Sequence, residues 1–327
     1  MDQDVYWVWL SLRCSVGSDT YAALRRHFPD PRAVYEAGSD ALAEAIGQSD
    51  KDLRRLCDKA TDDAERVLQY CRLKHIGILT YDDPLFPPML RALHNPPVLL
   101  YYRGTLPDFS LRLLVAVVGT REATSYGQRQ AFEIAQDLSR AGAIVVSGLA
   151  YGIDAVAGAA AVGNGYATVA VLGTGIETIY PKEHRLLAEE IARQGLLISE
   201  FPPGAQPDGS HFPLRNRIIS GLSAATLVIE GTAESGAMIT ARLAEEQGHA
   251  VYALPGNVDS GMSEGPFLLL KNGARMATCA DDIIRDFEGQ YPDSLSMLRL
   301  LHPVHCRMEA VLRRLSVVSF RKKRKKK

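Results

Sequence analysis

A chain of 327 residues with 46% hydrophobic and 23% charged positions has the composition of a globular protein with a real core, long enough for two or three structural units. No run of eighteen apolar residues occurs, so no membrane-spanning helix is expected. Met1–Ser15 lacks the basic opening and small-residue cleavage site of a secretory signal, which points to a cytoplasmic protein. Of 37 Lys and Arg, seven form the terminal run Arg321–Lys327, which leaves 30 against 38 Asp and Glu elsewhere. So acidic a body excludes nucleic-acid binding by bulk charge and demands a local basic pocket for any such role. The five cysteines are scattered, with no C-x-x-C pair, as expected of reduced thiols.

Residues 1–75 read as a small all-helical domain with helices over Val5–Arg13, Asp19–His27, Pro31–Glu36, Ser39–Ile46 and Ser49–Tyr70. Ser49 or Asp50 caps the last of these, and acids occupy its first turn. Residues 76–110 form a Pro-rich connection. Tyr81-Asp-Asp-Pro84, Phe86-Pro-Pro88 and Asn95-Pro-Pro97 forbid a long helix and favour extended chain, with Val98–Tyr102 as a short strand packed against the next domain.

Residues 111–287 alternate strictly. Strand-length apolar runs cover Leu113–Val118, Ala143–Val146, Ala167–Leu172, Leu196–Ile198, Ala225–Ile229, Ala250–Ala253 and Arg275–Ala277. Helical stretches between them cover Gly127–Ala141, Ile153–Val162, Pro181–Arg193, Arg215–Gly221, Ala237–Gln247 and Pro266–Asn272. Continuous apolar strands are buried on both faces, which predicts an α/β fold with a mostly parallel sheet between two helical layers. Ligands of such a sheet bind at the carboxyl ends of its strands.

Several turns at strand ends carry binding chemistry. Val118-Gly-Thr-Arg-Glu-Ala-Thr-Ser-Tyr-Gly127 places Gly119 and hydroxyls, Ser125 among them, before a helix, a phosphate-binding layout in which Arg121 adds a planar cationic fork. It is neither of the two standard glycine-rich nucleotide fingerprints, and an ordinary turn with a surface arginine remains open. In Leu172-Gly-Thr-Gly175, two glycines let backbone approach a ligand closely, and Lys182 comes later at a helix start, where an anionic partner would offset its conflict with the helix dipole, although by itself a solvated surface lysine is the commoner case. Ser210–Gly221 interleaves His211, Phe212, Arg215, Asn216 and Arg217, cations for phosphates and a ring for an unstacked base. The competing reading makes Phe212 core and pairs the arginines with Glu200 or Glu230. The Glu230–Gly236 turn carries two carboxylates, Glu230 and Glu234, a pattern more often structural than catalytic.

Beyond residue 287, Leu295–Leu301 and Arg307–Leu315 read as helices before the basic tail. His302, His305 and Cys306 are ligand types, but Pro303 interrupts them and no second cluster exists, so no metal is expected. The tail is a charge run of the kind that binds polyanions loosely.

Taken in order, these segments resemble the DNA-processing protein A family (DprA, also called Smf) from about Tyr81 to Phe287. The matching blocks are Val115–Arg121 with Ser125–Gly127, Val146–Asp154, Ala170–Gly175 with Tyr180-Pro181, Ser199–Gly204 and His211–Gly221. Ser235-Gly236, Thr240-Ala241, Glu246–Gly248 and Pro255-Gly256 complete the order.

The resemblance implies a Rossmann-like domain that binds single-stranded DNA, protects incoming strands and helps load the RecA recombinase in natural transformation. It also implies a homodimer, no cofactor and no catalytic residues, and it likens residues 1–75 to a sterile-alpha-motif domain. Carried over, the DNA contacts fall on Gly119, Arg121, Ser125, Lys182, His211, Phe212, Arg215, Asn216 and Arg217. The chain departs from the family pattern at Gly158, where a histidine is usual, and residues 288–327 are too short and poorly patterned for the winged helix many members carry. A phosphoribohydrolase-like enzyme on a related fold is the alternative, but Glu230–Gly236 lacks that family's Pro-Gly-Gly turn. A dinucleotide-dependent oxidoreductase is disfavoured because neither glycine turn completes its fingerprint.

Overall fold

The computed structural model describes residues 3–48, 50–296 and 308–317. Six helices open the chain: α1 (Gln3–Arg13), α2 (Thr20–His27), α3 (Pro31–Glu36), α4 (Ser39–Ile46), α5 (Leu53–Cys57) and α6 (Asp62–Lys74). The long helix expected over Ser49–Tyr70 is therefore two, separated at 58–61. The break has a visible cause. The Asp58 carbonyl accepts from Trp9 Nε1 at 3.1 Å and Arg13 Nε at 3.2 Å, so this backbone turns outward to α1 instead of continuing the helical ladder. Ser49 lies outside the described residues, and Asp50 accepts from the Asp52 amide at 2.7 Å ahead of α5.

Asp52 is the polar hub of the helical region. Its enclosed carboxylate accepts from the Ser15 amide at 2.7 Å, the Ser15 hydroxyl at 2.6 Å, the Thr20 hydroxyl at 2.9 Å and Arg55 Nη1 at 3.1 Å. Burial alone would raise its pKa, but the bonds from Ser15, Thr20 and Arg55 outweigh it and hold the carboxyl below the usual range.

The Pro-rich connection is part of the sheet. β1 (Gly77–Thr80) and β2 (Leu99–Gly104) flank the single helical turn α7 (Pro88–Arg91) and pair antiparallel, and β2 pairs antiparallel with β6 (Leu196–Ser199). The alternating units come next: β3 (Leu114–Val118), α8 (Ser125–Ala141), β4 (Ile144–Ser147), α9 (Ile153–Gly163), β5 (Thr168–Leu172), α10 (Arg185–Gln194) and β6. After them come α11 (His211–Leu222), β7 (Ala225–Val228), α12 (Gly236–Glu246), β8 (Ala250–Ala253), α13 (Glu264–Lys271), β9 (Arg275–Met276), α14 (Ala280–Phe287) and α15 (Met308–Arg314). The strand order is β1-β2-β6-β5-β4-β3-β7-β8-β9, parallel from β6 to β9.

Helices cover both faces, as the continuous apolar runs predict. Leu113, Val115 and Val117 face the core packed by α8, α9, α10 and α14. Leu114, Ala116 and Val118 face the core packed by α7, α11, α12 and α13. Each buried Val or Leu among these contributes roughly 1.5–3 kcal/mol relative to exposure. The first core runs without interruption into the helical region through Leu99, Tyr101, Trp9 and Leu10. Of the two C-terminal helices expected, Leu295–Leu301 lies mostly outside the described residues, and the second is α15, whose Val311 packs on Gly163 at the end of α9.

The order in which strands are added reverses between β3 and β7, which themselves run parallel. The crossovers from β3 run to one side through β4, β5 and β6, and those from β7 run to the other. The carboxyl ends of β3 and β7 therefore flank a crevice, the place where sheets of this type hold ligands.

Candidate nucleic-acid interface

A cavity of about 880 Å³ opens at that crevice. Its walls are the turn after β3 (Gly119, Thr120, Arg121), the start of α11 (Phe212, Arg215, Asn216) and the start of α12 (Ser235, Gly236, Thr240). Tyr180 and Asp154 also line it. Five of the nine residues expected to contact DNA thus line one space: Gly119, Arg121, Phe212, Arg215 and Asn216.

The turn after β3 is held from below. Thr124 caps α8, its hydroxyl accepting from the Gly127 amide at 3.1 Å. Thr124 in turn donates to Glu230 through its amide at 2.9 Å and its hydroxyl at 2.5 Å. This places Glu230 in a structural role. Ser125, expected at the site, is exposed in the first turn of α8 and outside the cavity lining. Gly119 has no room for a side chain, since a Cβ would stand 2.5 Å from Ile153.

Arg215 and Asp154 form the floor. Arg215 is 5% exposed and donates to the carbonyls of Gly148, at 2.7 Å, and Val171. Asp154 accepts from the Gly148 amide at 2.9 Å. Burial pushes Arg215 down to about 10, against the pull of Asp154 and together with Arg121. Burial raises Asp154, against the pull of Arg215. A Cβ on Gly148 would lie 2.4 Å from the guanidinium, so any side chain there would displace Arg215.

The same loop is fixed from a second side. Leu149 is fully buried in left-handed backbone with φ of 57°, and its carbonyl accepts from His184 Nδ1 at 2.9 Å. A carbonyl can only accept, so Nδ1 carries the proton, and burial lowers the His184 pKa.

Arg121 is the exception among these charges. It is exposed and has no ion pair among the described residues, and its guanidinium sits 5.5 Å from the centre of the half-buried Phe212 ring. Arg215 approaches the same ring at 6.0 Å, and Tyr180, 42% exposed, packs on it at 5.6 Å and 37°. Phe212 is therefore neither free surface nor core. It is a ring framed by two guanidiniums and a second aromatic, open to the cavity, and this geometry attracts a flat π-system beside an anion.

Besides Ser125, three expected residues sit elsewhere. Lys182 is exposed at the start of a short 3₁₀ turn, two residues from Tyr180 and outside the lining. His211 stacks on Phe201 at 4.1 Å and lies 3.2 Å from the Gly173 carbonyl, a support beneath Phe212. Arg217 faces away from the cavity and donates to both oxygens of Glu200, the pair being 5% and 10% exposed. The physical reason is helical phase: two residues apart on α11 is about 200° of rotation, so Arg215 and Arg217 point to opposite sides. Gly173 and Gly175 admit the protein's own chain in place of a ligand, a Cβ at the first meeting Phe212 at 2.9 Å and at the second Pro202 O at 2.8 Å.

Nor is the cavity uniformly basic. Arg121 and Arg215 share its lining with Glu122, Asp154 and Asp208. Asp154 is opposed by Arg215, and Asp208 accepts from the Ser210 amide at 2.8 Å. The starts of α11 and α12 add oriented N–H groups to the lining. Tyr180, Asp154, Ser235 and Gly236 all lie within the family-matching blocks of the sequence, which gave them no individual role.

A doubly wound sheet with a cavity of this kind at its switch point defines a Rossmann-like binding protein. The sequence profile of the DNA recombination-mediator protein A family matches residues 77–288, and the chain belongs to that family. Protein Smf from Synechocystis is 37% identical over 286 residues, 86% of this chain and 72% of that protein. The X-ray structure of DNA processing protein A from Streptococcus pneumoniae has a TM-score of 0.75 at 32% identity, covering 88% of this chain and 98% of that one. A structure of the Helicobacter pylori protein, described for its single-stranded-DNA-binding mode, has a TM-score of 0.60 at 29% identity, covering 66% and 97%. Among the described residues, no helix is long and apolar enough to cross a membrane, and no group of three or more His, Cys, Asp or Glu could hold a metal ion.

Proposed function

We propose that this protein binds single-stranded DNA in the cavity at the β3/β7 switch point and acts by binding, not catalysis. The observation that carries the reading is Arg121, an exposed guanidinium with no ion pair among the described residues, set 5.5 Å from the centre of the half-buried Phe212 ring. A strand seats one unstacked base on Phe212 beside Tyr180, with its phosphate on Arg121, on Asn216 of α11 and on the amides at the α12 start. Lys182 takes a neighbouring phosphate outside the cavity. Arg215 shapes the floor and adds charge from beneath. Double-stranded DNA, whose bases are already stacked, has no base to offer the ring.

On the family resemblance, the bound strand is incoming DNA in the cytoplasm, protected and then passed to the RecA recombinase. We place a homodimer contact at the β9 edge, where Leu268 is 41% and Met276 59% exposed while Leu269 is core. Leu268→Lys would then shift the chain to monomer in sedimentation. A hydrolase reading finds little support, because Glu230 is bound to Thr124 and Asp154 to Gly148.

Filter binding of single- and double-stranded oligonucleotides across a salt series tests the assignment. The expected result is preference for the single strand, with a salt slope of only about −1.4 for two phosphate contacts, at about −0.7 each. Equal affinity for the duplex would remove the base-stacking argument.

A further inference from the structure

The cavity has one aromatic mouth at Tyr180 and Phe212, on the β5 side. A second exposed aromatic stands on the opposite side. Tyr126, in the first turn of α8, is 38% exposed, and its hydroxyl donates to the Pro255 carbonyl at 2.8 Å, just past β8. With that hydroxyl engaged by the protein, what the side chain offers outward is its ring. Arg129 lies one turn along α8, on the same face, exposed and without a hydrogen bond or ion pair among the described residues. It is close enough to Tyr126 for its charge to lower the phenol pKa against the dominant effect of burial.

The pair is joined to the cavity walls through two shared loops. The turn that supplies Thr120, Arg121 and Glu122 to the lining leads directly to Tyr126. The loop after β8 that receives the Tyr126 hydroxyl also supplies Met262 to the lining.

We propose that Tyr126 and Arg129 form a second nucleotide step, a ring for a base and a guanidinium for a phosphate, on single-stranded DNA leaving the cavity toward β8. This deepens the proposed single-strand binding and rests on it. It also gives the strand a path. The strand crosses the carboxyl edge of the sheet from β5 to β8, four strand spacings or roughly 19 Å. That is about five or six nucleotides at a stacked rise of about 3.4 Å. A trinucleotide is too short to reach from Phe212 to Tyr126, whereas a dodecamer covers both.

The test measures binding of dT3 and dT12 to the full chain and three variants at low salt, with thermal melts as the folding control. Tyr126→Leu should weaken dT12 roughly five- to 150-fold, the range for one stacked base, and leave dT3 unchanged. Tyr126→Phe loses the Pro255 bond but keeps the ring, and should bind dT12 like the parent. Arg129→Ala should reduce the dT12 salt slope by about 0.7. The proposal is overturned if Tyr126→Leu binds dT12 like the parent, or if it loses dT3 and dT12 equally. A parent chain that binds neither oligonucleotide overturns the cavity assignment and this extension together.

Discussion

The helical region and the strand-end cavity both gather charged side chains, and they treat them in opposite ways. Asp52 is enclosed among Ser15, Thr20 and Arg55 and leaves no capacity for a ligand. In the cavity, Arg215 and Asp154 are likewise engaged by backbone groups, but Arg121 beside them is exposed, with no ion pair among the described residues, and stands near an aromatic ring. A closed network holds a fold together, whereas an open one beside a ring is left for a partner. Helix α11 carries two engaged arginines on opposite sides, Arg215 in the cavity floor and Arg217 on Glu200.

If that contrast is right, variants of the two kinds should separate stability from binding. The largest effect belongs to Arg217→Met, which leaves Glu200 buried without its partner and should cost about 3–5 kcal/mol in urea unfolding. The folded fraction should keep its affinity for single-stranded DNA, and a variant that kept its stability but lost DNA would break the comparison. Asp52→Ala should cost about 3 kcal/mol, the scale of a charged hydrogen bond with its donors left unsatisfied. Because the folded Asp52 pKa is depressed, its contribution is present above the unfolded value near 3.9 and is lost as pH falls through the folded value. Asp52→Asn should therefore flatten the acid limb of a stability–pH curve.

On the binding side, Phe212→Leu should weaken single-strand affinity by about 1–3 kcal/mol. Arg121→Ala should cost about tenfold, or about 1.4 kcal/mol, and change unfolding stability by no more than about 0.5 kcal/mol. A large loss of stability in Arg121→Ala would move that residue into the closed class. The smallest effect concerns His184, whose pKa burial lowers. Below about pH 6.5 the unfolded chain takes up a proton that the folded chain refuses, so stability falls with pH and levels off below the folded value. His184→Gln should reduce that slope in urea midpoints measured between pH 7.5 and 5.5.

Much of the architecture was written in the sequence because burial on both faces leaves a direct mark. The apolar runs that became β3 to β8 are continuous, and their ends fall within a residue of the observed strands. The strand pair β1 and β2 was only half legible. Val98–Tyr102 reads as a strand, but Gly77–Thr80 is short, begins with glycine and acquires its meaning from pairing with a segment about twenty residues away. The break between α5 and α6 was hidden for a similar reason, since the Asp58 carbonyl is drawn outward by Trp9 and Arg13, some 45–49 residues distant.

By itself, the sequence determined a doubly covered, mostly parallel sheet with phosphate-type turns at its strand ends, and the family to which those turns belong. Only the tertiary structure decided which charges remain available. Composition counts arginines equally, but helical phase sends Arg215 and Arg217 to opposite sides of α11. Long-range packing then supplies Glu200 to one arginine and Gly148 to another, and leaves Arg121 with no ion pair among the described residues.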